Sequence, residues 1–260
     1  MSVARVEAGG VELAVEETGS GPTVVFVHGT ATDRRVWRET LAELGDGVRA
    51  IVYDRRAYGE SGAPEPYGGT TVGEQADDLA ELIRAVGAAP ALLVGHELGA
   101  LAALDLMLRE PALARGAVLI EPSMLWLSPR GPDAISGLRE VVEKAAYGSG
   151  ADAAVAAFLE AVDGPRAVER LGPERAAVPP RAFAADLAAA ASWPAGRREL
   201  ARIDLPVTVV SGSSSSPVRR ESAAALARLL PDAELVEVGA GHLAHVEAPA
   251  EVAATIARAV

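Results

Sequence analysis

One ten-residue stretch, ALLVGHELGA at 91–100, constrains the fold of this chain more than any other. Its first four residues are apolar and predict a buried strand, and the apolar run 100–108 behind it predicts a helix. Gly95 and Gly99 bracket the sharp turn between them. Glu97 stands at the centre of that turn, so a carboxylate is predicted at the N-terminus of the helix, where the dipole and free N–H groups stabilise an anion.

Strand and helix patterns alternate along most of the chain, which predicts a mostly parallel sheet with helices on both faces. The segments 3–8 and 11–18 alternate apolar and polar residues and predict an antiparallel hairpin at the edge of the sheet. Further strands are predicted at 23–27, 48–53, 91–94, 117–120, 206–211 and 234–238. Helices are predicted at 34–44, 71–86, 100–108, 221–230 and 249–260.

This alternation stops after residue 122. Residues 123–194 contain no strand pattern, and their helical patterns are separated by Gly and Pro. These helices are predicted at 133–147, 151–162 and 180–191. We therefore predict a helical cap formed by 123–194, inserted into an α/β core formed by 1–122 and 195–260.

Composition restricts the compartment and the partners. The chain has no Cys, which excludes disulfides, thiolate metal sites and a Cys nucleophile. Its formal net charge of −12 and its dispersed Arg residues argue against nucleic acid or an anionic membrane surface as a partner. The N-terminus lacks the apolar segment of a signal peptide, and no apolar run is long enough to span a membrane. We predict a soluble cytoplasmic protein, a monomer or homodimer that binds a small molecule.

Five motifs, in this order and spacing, resemble those of the α/β-hydrolase superfamily. They are VVFVHGT at 24–30, DRRAYGESG at 54–62, GHELGA at 95–100, VLIEP at 118–122 and GAGHLAHVEAP at 239–249. The turn at 95–99 is similar to the nucleophile elbow of that superfamily, in which the central residue is usually Ser. A carboxylate there makes the motif most similar to epoxide hydrolases and haloalkane dehalogenases, which carry Asp. The resemblance implies an α/β-hydrolase fold and a hydrolase that needs no cofactor or metal.

The resemblance also implies three catalytic residues and an oxyanion hole. Glu97 takes the place of the nucleophile, and His242 in the penultimate loop takes the place of the base that activates water. The acid that orients this histidine usually follows the second-to-last strand, where this chain has only Ser. Some haloalkane dehalogenases and related hydrolases carry the acid after the preceding strand, which is the position of Glu121. The N–H groups of Thr30 and Leu98 are expected to form the oxyanion hole.

The sequence leaves several roles open for Glu97. As a nucleophile, its carboxylate would attack an sp³ carbon and form an ester that water hydrolyses; as a general base it would only move protons. Alternatively, Glu replaces a Ser in a binding protein or in an inactivated esterase. Epoxide opening is the leading reaction, followed by ester or lactone hydrolysis and by a lyase or cyclase reaction. Two carboxylates beside His242 are expected to raise its pKa unless burial dominates. No chemistry is assigned to His245, expected in packing or on the surface, or to the turn at 54–56.

The cap is expected to set specificity for a small apolar substrate. Trp126 and Trp193 flank it, Tyr147 lies within it, and His28 belongs to a loop that turns close to the substrate. Epoxide hydrolases use cap Tyr hydroxyls to protonate the ring oxygen, whereas only one Tyr is available in this cap. Dehalogenation is disfavoured, because Leu98 replaces the Trp that commonly follows the dehalogenase nucleophile and the chain has no Asn.

Overall fold

The chain folds around one sheet of eight strands. The computed structural model describes residues 3–176 and 178–260. The strands are β1 (Ala4–Ala8), β2 (Val11–Thr18), β3 (Thr23–Val27), β4 (Arg49–Tyr53), β5 (Ala91–His96), β6 (Ala114–Ile120), β7 (Val207–Gly212) and β8 (Ala233–Val238). Their order is β1-β2-β4-β3-β5-β6-β7-β8. β2 runs antiparallel to β1 and β4, and all other neighbours are parallel. The predicted mostly parallel sheet with an edge hairpin is confirmed.

The helices follow the sequence patterns closely. They are α1 (Arg38–Leu44), α2 (Val72–Ala85), α3 (Leu98–Arg109), α4 (Gly131–Ser149), α5 (Ala151–Asp163), α6 (Ala167–Leu171), α7 (Pro173–Ala176), α8 (Pro180–Ser192), α9 (Arg197–Leu200), α10 (Pro217–Leu229), α11 (Ala244–Glu247) and α12 (Pro249–Ala259). The helix predicted at 34–44 begins as a 3₁₀ turn, Arg34–Trp37, before α1. At the start of α2, the Thr71 hydroxyl accepts from the Glu74 N–H and the Glu74 carboxylate accepts from the Thr71 N–H, which is a capping box.

The sheet has an apolar core on each face. Strands β5 and β7 are buried along their whole length, as expected for parallel strands covered on both sides. Helices α2, α3 and α10 contribute buried residues to the core on one face. Helices α1, α12, α5 and α8 contribute to the core on the other face. Packing on both faces fixes the carboxyl ends of the parallel strands at one edge, where α/β folds bind their ligands.

Helices α4 to α8 lie between β6 and β7, within the proposed cap at 123–194. The part of this segment that the structure describes contains no strand. α5 and α8 pack through Phe158 and Phe183, whose ring centroids are 5.3 Å apart. The sequence patterns predicted α4, α5 and α8 but missed α6 and α7, which are too short for a periodic signal. Over residues 3–176 and 178–260, no helix is both long and apolar enough to cross a membrane.

Residues in and after the turn at 54–56 bind the core to the proposed cap through hydrogen bonds. Arg55, directly after β4, donates from Nη1 and Nη2 to the carboxylate of Asp186 in α8, at 3.1 and 2.6 Å. The hydroxyl of Tyr58 donates to the same carboxylate at 2.7 Å. All three side chains are fully buried. Since a buried charge requires a partner, this pair holds α8 against the turn after β4.

Candidate active site

Glu97 stands in a strained turn between β5 and α3. Its φ of 53° lies in the left-handed region, which non-glycine residues rarely adopt. A Cβ on Gly95 would lie 2.6 Å from the carbonyl oxygen of Gly99, and a Cβ on Gly99 would lie 2.2 Å from that of Val27. Glycine is therefore required at both positions, and α3 begins directly behind the carboxylate.

The Glu97 carboxylate lies between the two N–H groups expected to form the oxyanion hole. Its Oε2 accepts from the backbone N–H of Thr30 at 3.0 Å and from that of Leu98 at 2.5 Å. Gly29 permits this approach, because a Cβ there would lie 2.9 Å from the Cβ of Glu97. Both bonds end on the same oxygen, which leaves Oε1 without a backbone hydrogen bond among the residues described.

Glu97 is held as an anion. Burial alone raises the pKa of its carboxyl group, but the hydroxyl and backbone N–H of Thr30 and the positive charge of Arg219 lower it. The opposing contributions leave the pKa below the ordinary value of 4.5. Hydrogen bonds to the ionised form favour that form, so Glu97 is a carboxylate at neutral pH.

Glu121 and His242 meet at the carboxyl edge of the sheet. Glu121 follows β6, and its Oε2 lies 3.5 Å from Nδ1 of His242. The other carboxylate oxygen accepts from the N–H of Gly212 at 2.8 Å and from the hydroxyl of Ser211 at 3.3 Å. No other carboxylate in the described residues lies within 4.0 Å of His242. The geometry thus favours Glu121 as the group that orients the imidazole, although the contact is long for a hydrogen bond.

The pKa of His242 is lowered, which is the outcome expected where burial dominates over the neighbouring carboxylates. Burial lowers the pKa of His242 well below 6.5, and the charge of Arg219 lowers it further. Burial also raises the pKa of Glu121. Desolvation therefore dominates over attraction to carboxylates, and His242 is a neutral imidazole that can accept a proton.

The rings of His96 and His245 pack beside His242. His96 Nε2 donates to the carbonyl oxygen of His242 at 3.1 Å, which fixes the loop that carries the proposed base. The ring of His245 lies 4.3 Å from the ring of His96 and 4.6 Å from that of Trp37, measured between centroids. Neither nitrogen of His245 has a hydrogen-bond partner in the described part of the chain. His245 is therefore a packing residue and is not on the surface.

His28 does not contact the cavity, contrary to expectation. Its Nε2 accepts from the backbone N–H of Arg55 at 3.0 Å, and its Nδ1 lies 2.9 Å from the carbonyl oxygen of Gly29. Both ring nitrogens are thus engaged by backbone, and the side chain is fully buried. His28 holds together the loops after β3 and β4, and binding a substrate would require breaking these bonds.

A cavity of about 480 Å³ opens above Glu97, between the core and the proposed cap. Its walls are mostly apolar and include Leu138 of α4, Phe158 of α5 and Leu187 of α8. Such a volume and lining are typical of a small-molecule site. Within the described residues, no cluster of three or more His, Asp or Glu side chains is arranged to hold a metal ion.

The three aromatic side chains expected to contact the substrate have different positions. Trp126 and Trp193 both line the cavity. Trp193 is fixed there, because its Nε1 donates to the carboxylate of Asp105 at 2.8 Å. Tyr147 lies near the end of α4, is 91% exposed, and does not line the cavity. Its expected contact with the substrate is therefore wrong, because it lies on the outer side of α4.

Two charged residues of the cavity wall were missed by sequence reasoning. Asp186 is the one acidic residue in the apolar helix α8. A lone carboxylate in such a helix indicates that it has a buried partner of opposite charge. Arg219 lies in the first turn of α10 and is only 6% exposed. The sequence did contain a signal for this residue: it places a cation at a helix N-terminus, where the helix dipole disfavours positive charge.

Along the chain, Glu97, Glu121 and His242 stand in the order of nucleophile, acid and histidine in α/β-hydrolases. A sequence model of the alpha/beta hydrolase family matches residues 24–255. The chain belongs to the α/β-hydrolase family. This membership confirms the predicted fold class and the prediction of an enzyme of this fold.

Within this α/β-hydrolase family, one relative matches almost the whole chain. The 2-(acetamidomethylene)succinate hydrolase of Mesorhizobium japonicum is 32% identical over an alignment of 256 positions that covers 94% of this chain and 90% of that protein. The epoxide hydrolase of Caballeronia sordidicola is 36% identical over 107 residues, 41% of this chain and 32% of that protein. A thermophilic esterase from Thermogutta terrifontis, solved with malate bound, is 27% identical with a TM-score of 0.82, covering 99% of this chain and 97% of its own.

Proposed function

We propose that this protein is a cofactor-free hydrolase that opens an epoxide of a small substrate by direct attack of the Glu97 carboxylate. The observation that carries the proposal is that Oε2 of an ionised Glu97 accepts from the backbone N–H groups of both Thr30 and Leu98. A carboxylate in this position is a nucleophile with one oxygen anchored and the other available.

In the first step, Oε1 of Glu97 attacks a ring carbon of the epoxide. A carbon–oxygen bond forms to the enzyme, the ring carbon–oxygen bond breaks, and the ring oxygen takes a proton from water. The product is an ester on Glu97 whose carbonyl oxygen is Oε2. That oxygen already lies between the N–H groups of Thr30 and Leu98.

In the second step, neutral His242 takes a proton from a water molecule, which attacks the Cδ of Glu97. The negative charge that develops on Oε2 is stabilised by the same two N–H groups. Collapse of the tetrahedral intermediate expels the diol oxygen, which takes the proton from the imidazolium of His242. The carboxyl group of Glu97 gives its proton to the hydroxide left by the first step, so the carboxylate and the neutral imidazole are restored. Glu121 orients the imidazole and stabilises the imidazolium while it holds the proton. The lowered pKa of His242 supports this role, because the base is unprotonated before it reacts.

Ester or lactone hydrolysis remains the second candidate. The names of the curated relative, 2-(acetamidomethylene)succinate hydrolase, and of the Thermogutta terrifontis esterase favour attack at a carbonyl carbon. Such a reaction needs the substrate carbonyl oxygen in the oxyanion hole. Oε2 of Glu97 already accepts from both donors, so a substrate carbonyl would have to displace it. This competition favours the epoxide route.

Intact-mass spectrometry with styrene oxide tests the proposal. Wild-type protein should form the diol, whereas His242→Gln should stop at the ester and gain the mass of one epoxide on the peptide that contains Glu97. Glu97→Gln should give neither diol nor adduct, because a neutral amide is a much weaker nucleophile. If wild-type forms diol while His242→Gln never carries an adduct, Glu97 acts as a base and the nucleophilic role is wrong.

A further inference from the structure

Arg219 is a buried cation without a partner. It lies in the first turn of α10, is 6% exposed, and lines the same cavity as Glu97. Its Nη1 is buried without a hydrogen-bond partner. Among the described residues, no carboxylate oxygen comes within 4.0 Å of its guanidinium.

The other buried arginines of the chain are all paired. Arg55 is bonded to Asp186 through two nitrogens, and Arg56 is bonded to Asp78 in the same way. Arg34 is paired with Glu16 and Asp54. Burial of an unpaired charge is strongly unfavourable. Arg219 is thus an exception in a chain that otherwise pairs its buried guanidinium groups.

Its position in α10 makes the unpaired charge still less favourable. Arg219 is the third residue of this helix, where free N–H groups and the helix dipole repel a cation. Neither burial nor the helix stabilises a guanidinium here. The stability of the fold therefore does not explain why an arginine stands at this position. An anion that enters the cavity would supply the missing partner.

The acidic residues near Arg219 already have partners of their own. Oε2 of Glu97 accepts from two backbone N–H groups, and Oε1 of Glu121 accepts from Gly212 and Ser211. The charge of Arg219 acts on both carboxylates over a distance: it helps to lower the pKa of Glu97 and opposes the rise that burial causes in the pKa of Glu121. The donors of Arg219 remain available for a ligand.

We propose that Arg219 binds a carboxylate group of the substrate, so that the substrate class is a small carboxylic acid whose reacting carbon lies over Glu97. A guanidinium bonds a carboxylate through two parallel hydrogen bonds, which fixes the orientation of the bound acid. The apolar wall formed by Leu138, Phe158 and Leu187 would contact the carbon skeleton. The cation also offsets the repulsion between an anionic substrate and the Glu97 carboxylate. This assignment of a substrate class rests on the proposed function of the same site.

Binding of succinate tests the carboxylate site without any chemistry. Trp126 and Trp193 line the cavity, so titration with succinate should change the intrinsic fluorescence, and calorimetry should give the affinity. Arg219→Gln should weaken succinate binding at least tenfold. Arg220→Gln, which removes the neighbouring exposed arginine, should leave it unchanged. Neutral succinamide should bind wild-type and Arg219→Gln equally. Absent binding to wild-type, or equal succinate binding by wild-type and Arg219→Gln, overturns the proposal.

A pair of small epoxides tests the same site during turnover. Glycidate carries a carboxylate, and glycidamide is its neutral amide. Wild-type should prefer glycidate in kcat/KM, and Arg219→Gln should reduce that preference at least tenfold, with Arg219→Lys intermediate. If Arg219 only tunes Glu97, both substrates would lose activity in the same proportion, which contradicts the carboxylate site. If neither epoxide reacts, the proposed function fails, and the succinate titration still decides the role of Arg219.

Discussion

Oε2 of Glu97 lies 3.0 Å from the backbone nitrogen of Thr30, in a position that belongs to the substrate oxygen in a serine hydrolase. The side chain of Glu97, from Cβ through Cγ and Cδ to Oε2, has as many atoms as a serine that carries an acyl group. The carboxylate therefore has the shape of an acylated serine with its carbonyl oxygen between the two N–H donors. This relationship explains how a glutamate is accommodated in an elbow usually built for serine.

Replacing Glu97 by Ser should create an esterase. The change removes the carboxylate from between the Thr30 and Leu98 N–H groups and supplies a hydroxyl, while His242 and Glu121 stay in place. Because oxyanion-hole donors contribute roughly 100-fold or more to acyl transfer, p-nitrophenyl acetate should be hydrolysed about 100-fold faster than by Glu97→Ala. Glu97→Ala is the matched control, since it empties the same space without adding a nucleophile. Equal rates in the two variants would show that the elbow cannot perform serine chemistry.

Shortening the nucleophile should slow epoxide opening. Glu97→Asp keeps the charge but withdraws the carboxylate by one methylene from the N–H groups of Thr30 and Leu98. A displacement of about 1 Å costs roughly 100-fold in rate, so kcat for epoxide opening should fall by about that factor. Rapid-quench measurement of ester formation checks which step is slowed. Unchanged kinetics in this variant would argue that the reach of the carboxylate is unimportant.

Activity should be independent of pH around neutrality. The pKa of His242 is lowered well below 6.5 by burial and the pKa of Glu97 is also lowered, so both groups are unprotonated at neutral pH. The rate should be flat from pH 6.5 to about pH 8 and should decline only at acid pH, where these groups take up protons. Initial rates in overlapping buffers test this. A rate that rises several-fold through pH 7 would mean that His242 is protonated in the folded protein.

Stability should fall in mild acid, and His245 should contribute. Burial lowers the folded-state pKa of His245 well below 6.5, so below that pH the unfolded chain binds more protons than the native protein. The free energy of unfolding therefore decreases as pH falls. His245→Phe keeps an aromatic ring beside Trp37 and His96 and should reduce this slope by up to about 1.4 kcal/mol per pH unit. Urea unfolding at several pH values measures this slope. If the variant had the same slope as wild-type, His245 would not be a source of the pH dependence.

Breaking the buried pair between Arg55 and Asp186 should destabilise the protein. Asp186→Asn leaves the guanidinium without its counter-ion, which costs about 3–5 kcal/mol when a pair is fully buried. Replacing both residues, Arg55→Met with Asp186→Leu, should recover most of that loss because no lone charge remains. Urea unfolding of the single and double variants gives the comparison. A double variant as unstable as Asp186→Asn would mean that packing and not charge is responsible.

Local sequence patterns predicted the elbow, the capping box of Thr71 and Glu74, and the bounds of most elements to within a few residues. They also predicted that Glu97, Glu121 and His242 share one edge of the sheet, because each follows the carboxyl end of a parallel strand. Glu121 and His242 lie 3.5 Å apart there, whereas the Glu97 carboxylate does not come within 4.0 Å of His242. They did not predict that Arg219 is buried in the cavity wall, since its burial depends on how the cap packs over α10. The direction of the His242 pKa shift was left conditional on burial for the same reason: desolvation is a property of the packed structure and has no local signal.

The contact between Arg55 and Asp186 restricts how a molecule can reach the cavity. Swinging α8 away from the core would expose two charges that are now fully buried together, so a hinged opening of this helix is costly. Exposed residues of the wall include Trp126 and Ile135, which are 39% and 44% exposed, and Ala191 near the end of α8. Passage between these exposed residues would not require the buried pair to separate. The spacing of these exposed residues, and not a movement of α8, would then limit the size of the molecules that enter the cavity.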